Sequence, residues 1–88
     1  MAQRTLSIAS AVGLHARPAA LFSQAAAASN HEVSLTSKDS TINAKSILSI
    51  LGLAVGHGDE VTIDVQGAEA ERVADELAAL LSSDLDAA

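Results

Sequence analysis

Apolar and polar side chains alternate over Arg4–Ala9, with Leu6 and Ile8 on one side and Thr5 and Ser7 on the other, the pattern of a half-buried strand. The same period of two returns in Glu32–Ser37, where Val33 and Leu35 face inward, and most clearly in Glu60–Gln66, where Val61, Ile63 and Val65 alternate with Thr62 and Asp64. Lys38-Asp39-Ser40 reads as a turn into a short strand at Thr41–Ala44 led by Ile42. Three segments change period. Ala16–Ser29 reads as a helix whose bulkiest apolar groups are Leu21 and Phe22, with Pro18 tolerated in the first turn and Ser29-Asn30 as the stop. Ser46 caps a short apolar helix that runs to about Leu51 and is ended by Gly52. Ala68–Leu81 is amphipathic: Val73, Leu77, Leu80 and Leu81 share a face, and Glu69 and Glu71 suit its positive end.

The order is therefore βαββαβα, an α+β arrangement. Strands that are polar on one side imply one sheet with the helices packed on its other face. The crossover through the first helix is expected to be right-handed. The pattern leaves the order of the strands open.

Eighty-eight residues make one domain, 1–88, with a small core. Much of the 49% hydrophobic fraction is alanine, and Phe22 is the one aromatic. The absence of cysteine excludes disulfides and thiolate metal sites. His15, His31 and His57 are scattered without convergent spacing, so no metal or cofactor is expected, and His31 and His57 read as surface residues. Eleven acidic against five basic residues give a net charge of −6, which argues against nucleic acid as a partner. No run of about 18 uninterrupted apolar residues occurs and no basic-then-apolar leader opens the chain, so a cytoplasmic protein without membrane insertion is expected.

The chemistry concentrates in Gly13-Leu14-His15-Ala16-Arg17-Pro18-Ala19-Ala20. A helix start offers unpaired backbone N–H groups and the positive end of the helix dipole, an anion site in which the amides of Ala16 and Arg17 are available. The same field disfavours a second positive charge, so an imidazole at His15 is kept neutral and can act as a nucleophile. Arg17 is a cation at the unfavourable end of a helix, a placement that makes most sense if an anion visits. A phosphoryl group gained by His15 would be stabilised by those amides and by the guanidinium. A lone histidine is more often an ordinary capping or surface residue, so the surrounding residues carry this reading.

This run resembles the active-site signature of HPr, the histidine-containing phosphocarrier family of the phosphoenolpyruvate-dependent sugar phosphotransferase system. Asn43-Ala44-Lys45-Ser46-Ile47-Leu48 is similar to the family's regulatory-serine region, and Gly58-Asp59-Glu60-Val61-Thr62-Ile63 to its last strand. The resemblance implies an open-faced β-sandwich with strands ordered 1-4-2-3, neighbours antiparallel and three helices on one face. It implies a monomeric carrier, not an enzyme, that takes a phosphoryl group on His15 from enzyme I, through the ring nitrogen nearer the backbone, and passes it to enzyme IIA domains. Arg17 would assist the transfer, and an HPr kinase/phosphatase would act on Ser46, although an N-cap role alone would also explain that serine. Ile47 and Ile50 are placed to pack on the sheet, leaving Leu48 and Leu51 partly outward. Additional core is the plain reading of these two. The resemblance makes them, with Ala16 and Ala20, a docking patch for partners.

Two positions depart from the family pattern: Val12 stands where a small polar residue is frequent, and Ala54 where glycine is common. Two other functions stay open. A regulatory relative would act mainly by binding partners. A small hydrolase such as an acyl phosphatase would need an anion-cradling loop with an Asn/Arg pair, which the sequence does not display.

Overall fold

The computed structural model describes residues 1–9, 13–14 and 16–82. Its elements run β1 (Ala2–Ser7), α1 (Ala16–Ala28), β2 (Glu32–Ser37), β3 (Ser40–Asn43), α2 (Ile47–Gly52), β4 (Glu60–Gln66) and α3 (Ala70–Ser82). The four strands form one antiparallel sheet in the order β1-β4-β2-β3.

The period-two pattern sorts the sheet into two faces. Val33, Leu35, Val61, Ile63 and Val65 are buried against Phe22 and Ala26 of α1, Ile50 of α2, and Val73, Leu77 and Leu81 of α3. Phe22 is wholly buried and contributes about 1.5–3 kcal/mol by leaving water. The other face is polar. Thr5, Thr62, Thr36 and Thr41 stand side by side across all four strands, and their hydroxyls pair Thr5 with Thr62 at 3.0 Å and Thr36 with Thr41 at 2.8 Å.

Several boundaries differ from the sequence reading. β1 is Ala2–Ser7 and not Arg4–Ala9, because its register against β4 runs from Ala2 opposite Val65 to Ser7 opposite Glu60. β3 is Ser40–Asn43 and not Thr41–Ala44; Ala44 turns into the core while its N–H still reaches the Val33 carbonyl at 2.9 Å. α3 begins at Ala70 and not Ala68, since Gly67–Glu69 form a turn closed by the Ala70 N–H on the Gly67 carbonyl. Gly52 does not end α2. It lies inside the helix, Leu53 is the C-cap, and the left-handed residue is Ala54, with φ 54°. α1 ends as expected, with Asn30 left-handed at φ 59°.

Two tertiary ties were not anticipated. Arg4 lies on the core-facing side of β1 and bridges to α3: Nε donates to Asp75 Oδ1 at 2.8 Å, Nη2 to Glu71 Oε1 at 2.9 Å. Its hydrogen bond to Glu71, and then that to Asp75, push the guanidinium pKa further up. His31 is not a plain surface residue. Its half-buried ring donates from Nδ1 to the Ser29 carbonyl at 2.6 Å and accepts the Glu69 N–H on Nε2 at 3.3 Å, joining the α1–β2 turn to the start of α3. Gly67 lies against this ring, where a side chain would collide with it. On α3, Arg72 binds Glu69 and Glu76, and the first of these bonds holds the Glu69 carboxyl below its usual pKa.

Candidate phosphoryl-acceptor site

Gly13 and Leu14 bring the chain to the start of α1, and both are buried. Gly13 is left-handed at φ 77° and lies directly on the Val55 carbonyl and the Gly56 backbone, so no side chain can be placed there. Leu14 donates its N–H to the Val55 carbonyl at 2.9 Å. His15 and Val12 lie outside the described residues.

α1 starts at Ala16, so the N–H groups of Ala16 and Arg17 belong to its first turn and have no carbonyl four residues back within the helix. Pro18 is buried at the third helical position, where its missing N–H leaves no ladder bond unmade. Arg17 is exposed, and among the described residues it forms no ion pair, unlike Arg4 and Arg72. The first turn of α1 therefore presents two backbone donors and a guanidinium that no described carboxylate engages, a set suited to an anion with several acceptor oxygens.

Ser46 is the N-cap of α2, with extended backbone (φ −100°, ψ 108°) and Oγ accepting the Ser49 N–H at 3.3 Å. Ile50 of this helix is fully buried and Ile47 half-buried. On the other side Leu48 is 79% exposed and Leu51 36%. α2 packs beside α1, which carries exposed Ala16 and half-buried Ala20. Leu21 of α1 is also outward, at 39% exposure, where the sequence marks only a bulky helix residue. The available signal was its spacing: four residues after Arg17, it shares that residue's helix face. Ala54, the second departure from the family pattern, keeps the left-handed backbone for which glycine is the easier residue.

Among the described residues no group of three His, Asp or Glu side chains could hold a metal ion, and no helix is long and apolar enough to cross a membrane.

A model of the family described as "PTS HPr component phosphorylation site" matches residues 2–83. The chain belongs to the HPr family. It is 44% identical over 79 residues to the phosphocarrier protein HPr of Streptomyces coelicolor, covering 84% of this chain and 85% of that protein. It superposes on the crystal structure of HPr from Thermoanaerobacter tengcongensis with a TM-score of 0.92 at 34% identity, over 100% of this chain and 99% of that one. It is also 38% identical over 85 residues to the HPr-like protein Crh of Bacillus subtilis, covering 97% of this chain and 100% of Crh. A crystal structure of Crh, a domain-swapped dimer, matches with a TM-score of 0.75 over 96% of this chain and 97% of that one. The HPr-like open-faced sandwich, its 1-4-2-3 strand order and its three helices are those the family resemblance implies.

Proposed function

We propose that this protein is a phosphocarrier that accepts a phosphoryl group on His15 from phospho-enzyme I and delivers it to enzyme IIA domains. The observation that carries this reading is the exposed Arg17 in the first turn of α1, which pairs with no carboxylate among the described residues and stands two residues after the histidine of the Gly13–Ala20 motif. The neutral imidazole attacks phosphorus in line. The bond to enzyme I breaks as the bond to His15 forms, and the Arg17 guanidinium with the first-turn amides of Ala16 and Arg17 holds the equatorial oxygens. Delivery to enzyme IIA is the same step with the roles exchanged. The protein is consumed and regenerated, so it is a carrier and not an enzyme. No metal or cofactor takes part.

Partners meet the apolar surface made by Leu48, Leu51, Ala16 and Ala20, with Leu21 beside them. Ser46 is the site at which an HPr kinase/phosphatase would regulate the relay. A phosphate there adds negative charge at a helix start, which the fold tolerates, and places it beside the partner surface. The carrier works in the cytoplasm as a monomer.

The similarity to Crh supports one other reading, a regulator that acts only by binding. Incubation with enzyme I and labelled phosphoenolpyruvate separates the two. A carrier gains one acid-labile, alkali-stable phosphate that is lost in His15→Ala. Label that persists in this variant, on His31 or His57, overturns the assignment.

A further inference from the structure

The connection from β1 to α1 is gripped at both ends by one short turn. At its start, the Ile8 N–H donates to the Asp59 carbonyl at 3.0 Å and the Gly58 N–H donates to the Ile8 carbonyl at 2.9 Å. At its end, Leu14 donates to the Val55 carbonyl at 2.9 Å while Gly13 lies against Val55 and Gly56. The turn is Gly56-His57-Gly58-Asp59. Its backbone closes through the Asp59 N–H on the Gly56 carbonyl at 3.1 Å, with Gly58 supplying the left-handed φ of 83° that such a turn requires. One side chain locks it from the other direction: Asp59 Oδ2 accepts the Gly56 N–H at 2.8 Å.

The side-chain bond thus sets the direction of the Gly56 N–H, and with it that of the Val55 carbonyl in the same peptide, on which Leu14 depends. Leu14 is the residue before His15. We infer that Asp59 is a positioning residue for phosphoryl transfer, acting through Gly56 and Val55 on the Leu14 peptide. Its Oδ2 is engaged by the Gly56 N–H, so it acts on the site through the backbone. What it supplies is an acceptor oxygen at one fixed place, so its charge is not required. The inference rests on the reading of His15 as the acceptor, because only then does the aim of the Leu14 peptide govern a rate.

Small errors of aim are costly in transfer reactions; a shift of about 1 Å can lower a rate by roughly a hundredfold. Asp59→Ala removes the side-chain acceptor and leaves the turn to its backbone bond. It is expected to lower kcat for transfer from phospho-enzyme I about tenfold, with KM for enzyme I changed less than twofold. Protection of the Leu14 amide from hydrogen exchange should fall in the same variant. Asp59→Asn keeps an oxygen in place and should restore both to within twofold of the parent. Gly58→Ala attacks the same turn through its backbone alone, since open space surrounds an added Cβ, and it should shift both readouts in the same direction. An Asp59→Ala protein that transfers at the parent rate while the parent is labelled overturns this inference alone. So does a loss confined to KM, or an Asp59→Asn variant as impaired as Asp59→Ala. A parent protein that takes no label overturns the carrier reading, and this inference with it, and a labelled His15→Ala control would have the same consequence.

Discussion

Ala54 shows what one residue can cost. Its left-handed φ of 54° is forced by its place just after the C-cap of α2, where its N–H reaches back to the Leu51 carbonyl at 3.2 Å. A residue with a Cβ is strained there by about 1–2 kcal/mol, and glycine would bring back about 0.4–1 kcal/mol of unfolded-chain entropy. Ala54→Gly should therefore stabilise the protein by roughly 1 kcal/mol, read as a higher denaturant midpoint at unchanged slope. A lower midpoint would show that this backbone is relaxed with alanine in place. The sequence marks Ala54 as unusual without a reason, because Gly52 looks like the helix end while the left-handed position falls two residues later. His31 was less legible still. Both partners of its ring are backbone atoms, and one belongs to Glu69, 38 positions away. No local pattern announces such a bond.

At the scale of elements, periodicity found every strand and helix, and its errors fell at their ends. Those ends are decided by partners that the local sequence does not contain: the register of β4 fixes where β1 stops, and the Gly67 turn fixes where α3 starts. α2 was read most completely. Its Ser46 cap and the split between inward isoleucines and outward leucines both follow from six residues and a cap, because a single turn and a half leaves few choices of face. That split makes a prediction. Leu48 is 79% exposed, so Leu48→Glu should leave the unfolding curve nearly unchanged. It should raise the apparent KM several-fold for both enzyme I and enzyme IIA, because a charge buried in an apolar contact is left unpaired. If the variant unfolds, Leu48 is core. Normal transfer to both partners would move the docking surface elsewhere.

Over the whole molecule, the first strand and the last helix are joined by Arg4, whose partners Glu71 and Asp75 are 67 and 71 positions distant. Separations of that size leave no local trace of the tie: the alternation that marks the strand points to neither Glu71 nor Asp75. Arg4→Met keeps the side chain's length while removing both ion pairs. It should lower the unfolding midpoint at low salt and much less at high salt, since partly exposed pairs are screened. Equal losses at both ionic strengths would make packing, and not charge, the reason for the arginine. The fold holds β1 and α1 in place around the connection that leads to His15, and the segment Val55–Asp59 grips both ends of that connection. The motif itself was legible because its chemistry is local: a glycine turn, a histidine, a helix start and an arginine within eight residues.

The central claim is that this chain carries phosphate on His15. The most direct measurement is to incubate the protein with enzyme I and phosphoenolpyruvate, then map the phosphate to a residue by mass spectrometry of the intact protein and its peptides at alkaline pH. A phosphocarrier gains a single phosphoryl group on the peptide containing His15 and loses it when an enzyme IIA domain is added. A protein that stays unmodified, or that carries its phosphate on any other residue, would contradict that claim.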